Sequence, residues 1–166
     1  MDKLMEAGEQ AGLPVILLVE DNPDDVLLAR RALKKAELPV ALRVASDGDE
    51  AVGYLGAGGR PAHLSLILLD LKLPKRSGLE VLRWIRAQGE LATTPVVVLT
   101  SSSEHEDIQK AYALGANSYL QKPVAFHGLV ELLEILGLYW LQHNLTGTHR
   151  AARPRSPAQQ DEHDSC

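Results

Sequence analysis

The sequence predicts an α/β domain: a five-stranded, doubly wound parallel sheet of strand order 2-1-3-4-5 inside a three-layer α/β/α sandwich. Three observations predict it. Val15-Ile16-Leu17-Leu18-Val19, Leu66-Ile67-Leu68-Leu69, Val96-Val97-Val98-Leu99 and Tyr119-Leu120-Gln121 have the length and branching of buried strands. Segments of helical periodicity alternate with them, which is the pattern of right-handed crossovers and a sheet covered on both faces. Each run also stops at a charged or hydroxyl residue: Glu20-Asp21, Asp70, Thr100 and Lys122-Pro123. Parallel strands share one carboxyl edge, so these side chains should converge there. The crevice lies where the winding reverses, between the first and third strands.

The elements follow in order. After the first strand, Asp21-Asn22 supplies capping candidates, Pro23 suits the first helical turn, and Asp24 and Asp25 favour the positive helix start. Val26, Ala29 and Leu33 mark the buried side of that helix, with Arg30 on the same spacing. Val40 to Ala45 reads as an alternating second strand. Asp47-Gly48-Asp49 opens a short helix ending near Gly56, Gly58 and Gly59. Ser77-Gly78 begins a third helix carrying Leu79, Leu82, Trp84 and Ile85. Glu104 to Leu114 forms a fourth, stopped by Gly115, and Ala125 to Leu141 a fifth.

Composition sets limits. At 166 residues the chain suits one domain with short tails: a flexible segment over 1–13, the domain over 14–143 and a poorly ordered tail over 144–166. A net charge of −5 argues against a general nucleic-acid binder. Arg150, Arg153 and Arg155 read as a solvated tail. The single cysteine, Cys166, permits neither an intrachain disulfide nor a thiolate metal cage. No apolar stretch approaches the roughly 20 residues that span a bilayer, and the acidic start Met1-Asp2-Lys3-Leu4-Met5-Glu6 lacks a signal core. The expectation is a soluble, cytoplasmic protein.

Three carboxylates in one crevice need help. Two unit charges about 4 Å apart repel by roughly 4 kcal/mol at an effective dielectric of 20. The site must take up protons or a cation. Oxygen donors without His or Cys select a hard ion, and few carboxylates plus water suit Mg2+. A carboxylate-held metal faced by Lys122 and Thr100 matches the needs of a phosphoryl group, and a carboxylate could attack phosphorus to form an acyl phosphate. Asp24, Asp25, Asp47 and Asp49 read as helix-start residues rather than participants. The six histidines show no ligand spacing. The Gly56-Ala57-Gly58-Gly59 turn lacks the Lys-Ser/Thr of a phosphate loop.

Over residues 14–143 the chain resembles the receiver domain of two-component response regulators, a flavodoxin-like fold. The matching residues are Glu20-Asp21, Asp70, Thr100 and Lys122-Pro123, each at a strand end. Pro74 and Gly78 stand four and eight residues after Asp70, and Tyr119 stands three before Lys122. The resemblance implies that Asp70 accepts a phosphoryl group from a sensor histidine kinase. It implies that Glu20, Asp21, Asp70 and the Lys72 carbonyl bind Mg2+, that Thr100 and Lys122 contact the phosphoryl group, and that Tyr119 turns inward as Thr100 moves. The Lys122–Pro123 peptide is expected to be cis.

Glu20-Asp21-Asn22-Pro23-Asp24-Asp25, Asp70-Leu71-Lys72-Leu73-Pro74-Lys75 and the terminal Tyr139-Trp140 further resemble stand-alone receivers that partner phytochrome-type photosensor kinases. Such a protein acts as a signalling phosphoacceptor and not as an enzyme on other substrates. A Mg2+-dependent aspartyl-phosphate phosphatase would use similar chemistry but needs an acid/base carboxylate close after the nucleophile, usually two residues on; position 72 is lysine. A receiver-like interaction module that takes no phosphate would not need Asp70, Thr100 and Lys122 together. In the last helix, Leu129, Leu132, Leu133 and Leu136 can line the core, while Val130, Ile135, Leu138, Tyr139 and Trp140 extend around the cylinder. Leu138, Tyr139 and Trp140 are therefore expected at a homodimer interface. Arg30, Arg31, Lys34 and Lys35 on the first helix could dock a kinase or form a solvated face.

Overall fold

The computed structural model describes residues 12–58 and 61–145. Expectations for residues 1–11 and 146–166, and for Gly59, lie outside them. Strands β1 (Val15–Val19), β2 (Ala41–Ala45), β3 (Leu64–Leu69), β4 (Val96–Thr100) and β5 (Ser118–Gln121) alternate with five α-helices. These are α1 (Pro23–Lys35), α2 (Gly48–Gly56), α3 (Gly78–Ala87), α4 (His105–Ala113) and α5 (Phe126–Leu138). The sheet is wholly parallel and ordered β2-β1-β3-β4-β5, as the sequence predicts.

Local chemistry sets the helix starts. Asn22, not Asp21, caps α1 by accepting from Asp24 N at 2.9 Å, which leaves the Asp21 carboxylate for the sheet edge. Asp47 caps α2 through Glu50 N at 2.8 Å. Ser77 and Glu80 form a reciprocal capping box on α3.

Two apolar layers sandwich the sheet. Ile16, Leu18, Leu66, Leu68, Val97 and Leu99 face α1 and α5, whereas Leu17, Val19, Ile67, Leu69 and Val96 face α2 and α3. The period-two alternation of the central strands thus fills both layers. The edge strands differ from expectation. Residues 41–44 of β2 are all half-buried, without alternation, and Ser118 to Leu120 of β5 are half-buried too. An edge strand lacks a neighbour on one side, which leaves part of its backbone open.

Two further expectations need correction. Val130 is buried in the core beside Leu129 and Leu133, and Trp140 packs partly onto the same layer. Of the five surplus residues expected on the last helix, Ile135, Leu138 and Tyr139 stay exposed, and Phe126 at the start of α5 is exposed as well. After Leu138 the chain widens into a single π-helical turn over Tyr139–His143; Trp140, four residues after the buried Leu136, packs partly onto the core with its ring edge-on to Tyr139. No described helix is long and apolar enough to cross a membrane.

An unforeseen clamp fixes the far end of the sheet. The half-buried Arg86 guanidinium donates to Thr94 O at 2.8 Å and to Asn117 Oδ1 at 2.9 Å. It also binds Gly115 O through both Nε and Nη2. Asn117 Oδ1 in turn accepts from the buried Val96 N at 2.8 Å. This network ties α3 to the start of β4 and to the turn that launches β5, setting the register in which Lys122 arrives.

Candidate functional site

The carboxyl edge gathers the chemistry. Asp70 N continues the sheet by donating to Val19 O at 3.1 Å, and Lys122 N does so to Thr100 O at 2.7 Å. The ladder therefore fixes both residues at the edge before their side chains are considered. The Lys122 ammonium donates to Asp70 Oδ2 at 2.9 Å, to Asp25 Oδ2 at 2.9 Å and to Glu20 Oε2. Donor oxygens of Glu20, Asp21 and Asp70 lie within 4.8 Å of one another. Glu20 and Asp70 are buried, whereas Asp21 is exposed.

Burial dominates the electrostatics at Glu20. It pushes that carboxyl from its ordinary 4.5 up to about 7, against hydrogen bonds from Lys122 and Asn22 N that pull it down. Burial alone would lower the Lys122 ammonium. Its hydrogen bonds to Glu20, Asp25 and Asp70 outweigh that effect and hold it above the ordinary lysine value. Glu20, Asp25 and Asp70 share this one ammonium, and Asp21 joins Glu20 and Asp70 in the oxygen cluster, which leaves an excess of negative charge. Converging all-oxygen donors with surplus negative charge fit a small, hard divalent cation.

The loop after Asp70 is tightly built. Lys72 N donates to Asp70 Oδ1 at 3.2 Å. Gly78 N donates to Leu71 O at 2.9 Å, so α3 starts against the Asp70-Leu71 backbone. A Cβ on Gly78 would lie 2.1 Å from Asp70 O, a separation no side chain can occupy. The loop is also strapped to α2. Lys75 pairs with Asp47 at 3.1 Å, and Arg76 pairs with Asp49 at 3.1 Å. Asp47 and Asp49, read from sequence as helix-start residues, thus also hold the loop bearing Lys72.

Thr100 is fully buried at the end of β4, and its hydroxyl accepts a long bond from Ser102 N at 3.5 Å. Tyr119 on β5 packs beside Leu71, Val98 and Ala111. Its hydroxyl donates to Ser102 O at 3.0 Å, so Thr100 and Tyr119 meet at the same residue. Burial raises the Tyr119 phenol above its ordinary value, with the Ser102 hydrogen bond opposing.

Two readings change. Asp25 is a partner of Lys122 as well as a helix-start residue. A carboxylate in a first helical turn is so common that its sequence position alone carries no signal; the phase of α1 against β5 decides where it points. The Lys122–Pro123 peptide is trans, since no described peptide is cis. The two isomers of an X–Pro bond differ by only about 0.5–1 kcal/mol, so tertiary context chooses between them.

The family model of the response regulator receiver domain matches residues 16–134. The probable methanogenesis regulatory protein FilR2 of Methanothrix harundinacea is 40% identical over 132 residues, covering 78% of this chain and 85% of its own. Response regulator Rcp1 of Synechocystis sp. is 38% identical over 134 residues, covering 77% and 89%. The crystal structure of the Mn(2+)-bound form of Rcp1 superposes with a TM-score of 0.76 at 36% identity, covering 81% of this chain and 99% of that one. That of the phosphorylated cyanobacterial phytochrome response regulator RcpA gives 0.76 at 34% identity, covering 82% and 99%.

Proposed function

The chain belongs to the response regulator receiver family, and on that premise we propose that its receiver domain, over residues 14–143, accepts a phosphoryl group on Asp70 from a sensor histidine kinase. The observation that carries this reading is the Lys122 ammonium, hydrogen-bonded to Asp70 2.9 Å away on the crowded carboxyl edge. An Asp70 oxygen attacks phosphorus, a P–O bond forms, and the P–N bond of the kinase phosphohistidine breaks with its electron pair returning to the imidazole. Mg2+ held by Glu20, Asp21, Asp70 and the Lys72 carbonyl would neutralise charge on the attacking and transferred oxygens. Lys122 stabilises the new phosphoryl oxygens as a preorganised cation, and Thr100 moves from Ser102 to hydrogen-bond one of them.

That movement supplies the switch. Once Thr100 turns toward the phosphoryl group, Tyr119 gains room to leave Ser102 O and turn inward, changing the face formed by α4, β5 and α5. Leu138 and Tyr139 are exposed on the last helix, with Trp140 beside them. They form the patch through which two copies of the chain pair, and phosphorylation adjusts that pairing. Light-scattering mass over a concentration series tests it; a monomer with and without a phosphate mimic removes the dimer from the account.

The phosphodonor is a phytochrome-type photosensor kinase, a reading supported by the similarity to the cyanobacterial phytochrome response regulator RcpA. Autophosphorylated phytochrome-type kinase, mixed with this protein, should pass label to the wild type and none to Asp70→Asn. Equal transfer rates from unrelated histidine kinases would contradict the photosensor assignment while leaving the phosphoacceptor role intact.

A further inference from the structure

We infer that Asp25 is a positioning residue for Lys122: it holds the ammonium through a carboxylate that the bound cation does not use. The inference rests on the Mg2+-assisted phosphoacceptor reading given above.

Lys122 binds three carboxylates, and two of them, Glu20 and Asp70, also belong to the oxygen cluster that fits a cation. An ammonium and a divalent ion drawn to the same two carboxylates compete. Asp25 is the third partner, at 2.9 Å, and lies outside that cluster. It sits in the first turn of α1, where its half-buried side chain reaches Lys122 while the adjacent Asp24 is exposed. Asp25, Glu20 and Lys122 line one small cleft whose other walls are Leu18, Ala29, Leu99, Leu129 and Leu133. These apolar walls weaken solvent screening, so the third carboxylate counts for more than a surface ion pair would. With Asp25 in place, Glu20 and Asp70 can turn to the cation while Lys122 keeps an anionic partner. Without it, the ammonium draws on Glu20 and Asp70 alone, and the cation must displace it.

Titration of the full chain with MgCl2 alone, followed by calorimetry, tests this. Asp25→Asn should weaken Mg2+ binding by about fivefold, within the range of coupling between contacting residues. The same substitution in a Lys122→Gln background should have an effect at least about threefold smaller, because the residue that Asp25 acts through is gone. Equal weakening in both backgrounds would mean that Asp25 acts through its charge alone, and would overturn the inference. Side-chain ammonium NMR gives a readout that does not need Lys122→Gln to fold. The metal-free wild type should show a slowly exchanging Lys122 Nζ signal that broadens or vanishes in Asp25→Asn; no such signal in the wild type, or an unchanged one in Asp25→Asn, would contradict the anchor. Failure of the wild type to bind Mg2+ at all would overturn the phosphoacceptor reading as well.

Discussion

Lys122 Nζ lies 2.9 Å from Asp70 Oδ2, although the two residues stand 52 apart in the chain and follow strands β5 and β3, which β4 separates. The lysine side chain is only 12% exposed, so its stem crosses a protein interior to reach the carboxylate. Such a pair gains from its Coulombic attraction only after offsetting the desolvation of both ions. Here the surplus of carboxylates around one ammonium makes the balance lopsided, and the two partners should respond oppositely to substitution.

Asp70→Asn should leave urea stability equal to the wild type or higher, by up to about 2 kcal/mol, because one negative charge leaves a repelling group while shape is kept. A loss of more than about 1 kcal/mol would show that Asp70 is needed for the fold.

Lys122→Met should instead destabilise by about 3 kcal/mol, since it strands Glu20, Asp25 and Asp70 without their shared cation. Saturating Mg2+ should restore part of that loss. If urea melts of this variant match the wild type, the cluster is not under electrostatic stress.

How much of this was legible follows from the kind of signal each feature leaves. Strand ends were readable because an apolar run that stops at Asp70 or Lys122 is a contrast in the sequence itself. Gly78 is marked, eight residues after Asp70, only by the resemblance to receiver domains, and the structure supplies the reason in the close approach to Asp70 O. Asp25 was not readable as a partner of Lys122, since its direction depends on the phase of α1 against a strand 97 residues away. Val130 was misread because α5 is apolar on several faces, and periodicity cannot rank them. Trp140 stands four residues after Leu136 and seven after Leu133, so its place on the core layer is the one that helical spacing gives it. Arg86 and Asn117 look like ordinary surface residues until the backbone carbonyls and amide they bind are brought together.

Two glycines should separate close approach from helix propensity. Gly78→Ala should cost about 2–4 kcal/mol, as the new methyl would overlap Asp70 O and Leu71 Cα. Gly53→Ala, in the middle of α2 with open space around it, should stabilise by about 0.5–1 kcal/mol. Equal effects in thermal melts would refute the close-packed start of α3.

The raised Glu20 carboxyl predicts a pH dependence. In the metal-free protein its folded value of about 7 exceeds the ordinary 4.5, so the native state holds a proton that the unfolded chain releases first. That contribution is complete below about pH 4.5 and is lost as pH rises through about 7. Urea midpoints in chelator should therefore carry a falling component between these limits, and Glu20→Gln should remove it. An unchanged slope in Glu20→Gln would assign the effect elsewhere.

The most direct test of the account is the mass of the intact protein after incubation with Mg2+ and a small acyl-phosphate donor. One phosphoryl adduct is expected that decays slowly, is absent in excess chelator and is absent in Asp70→Asn. An undiminished adduct in Asp70→Asn, or none in the wild type with Mg2+ present, would contradict Asp70 as the phosphoacceptor.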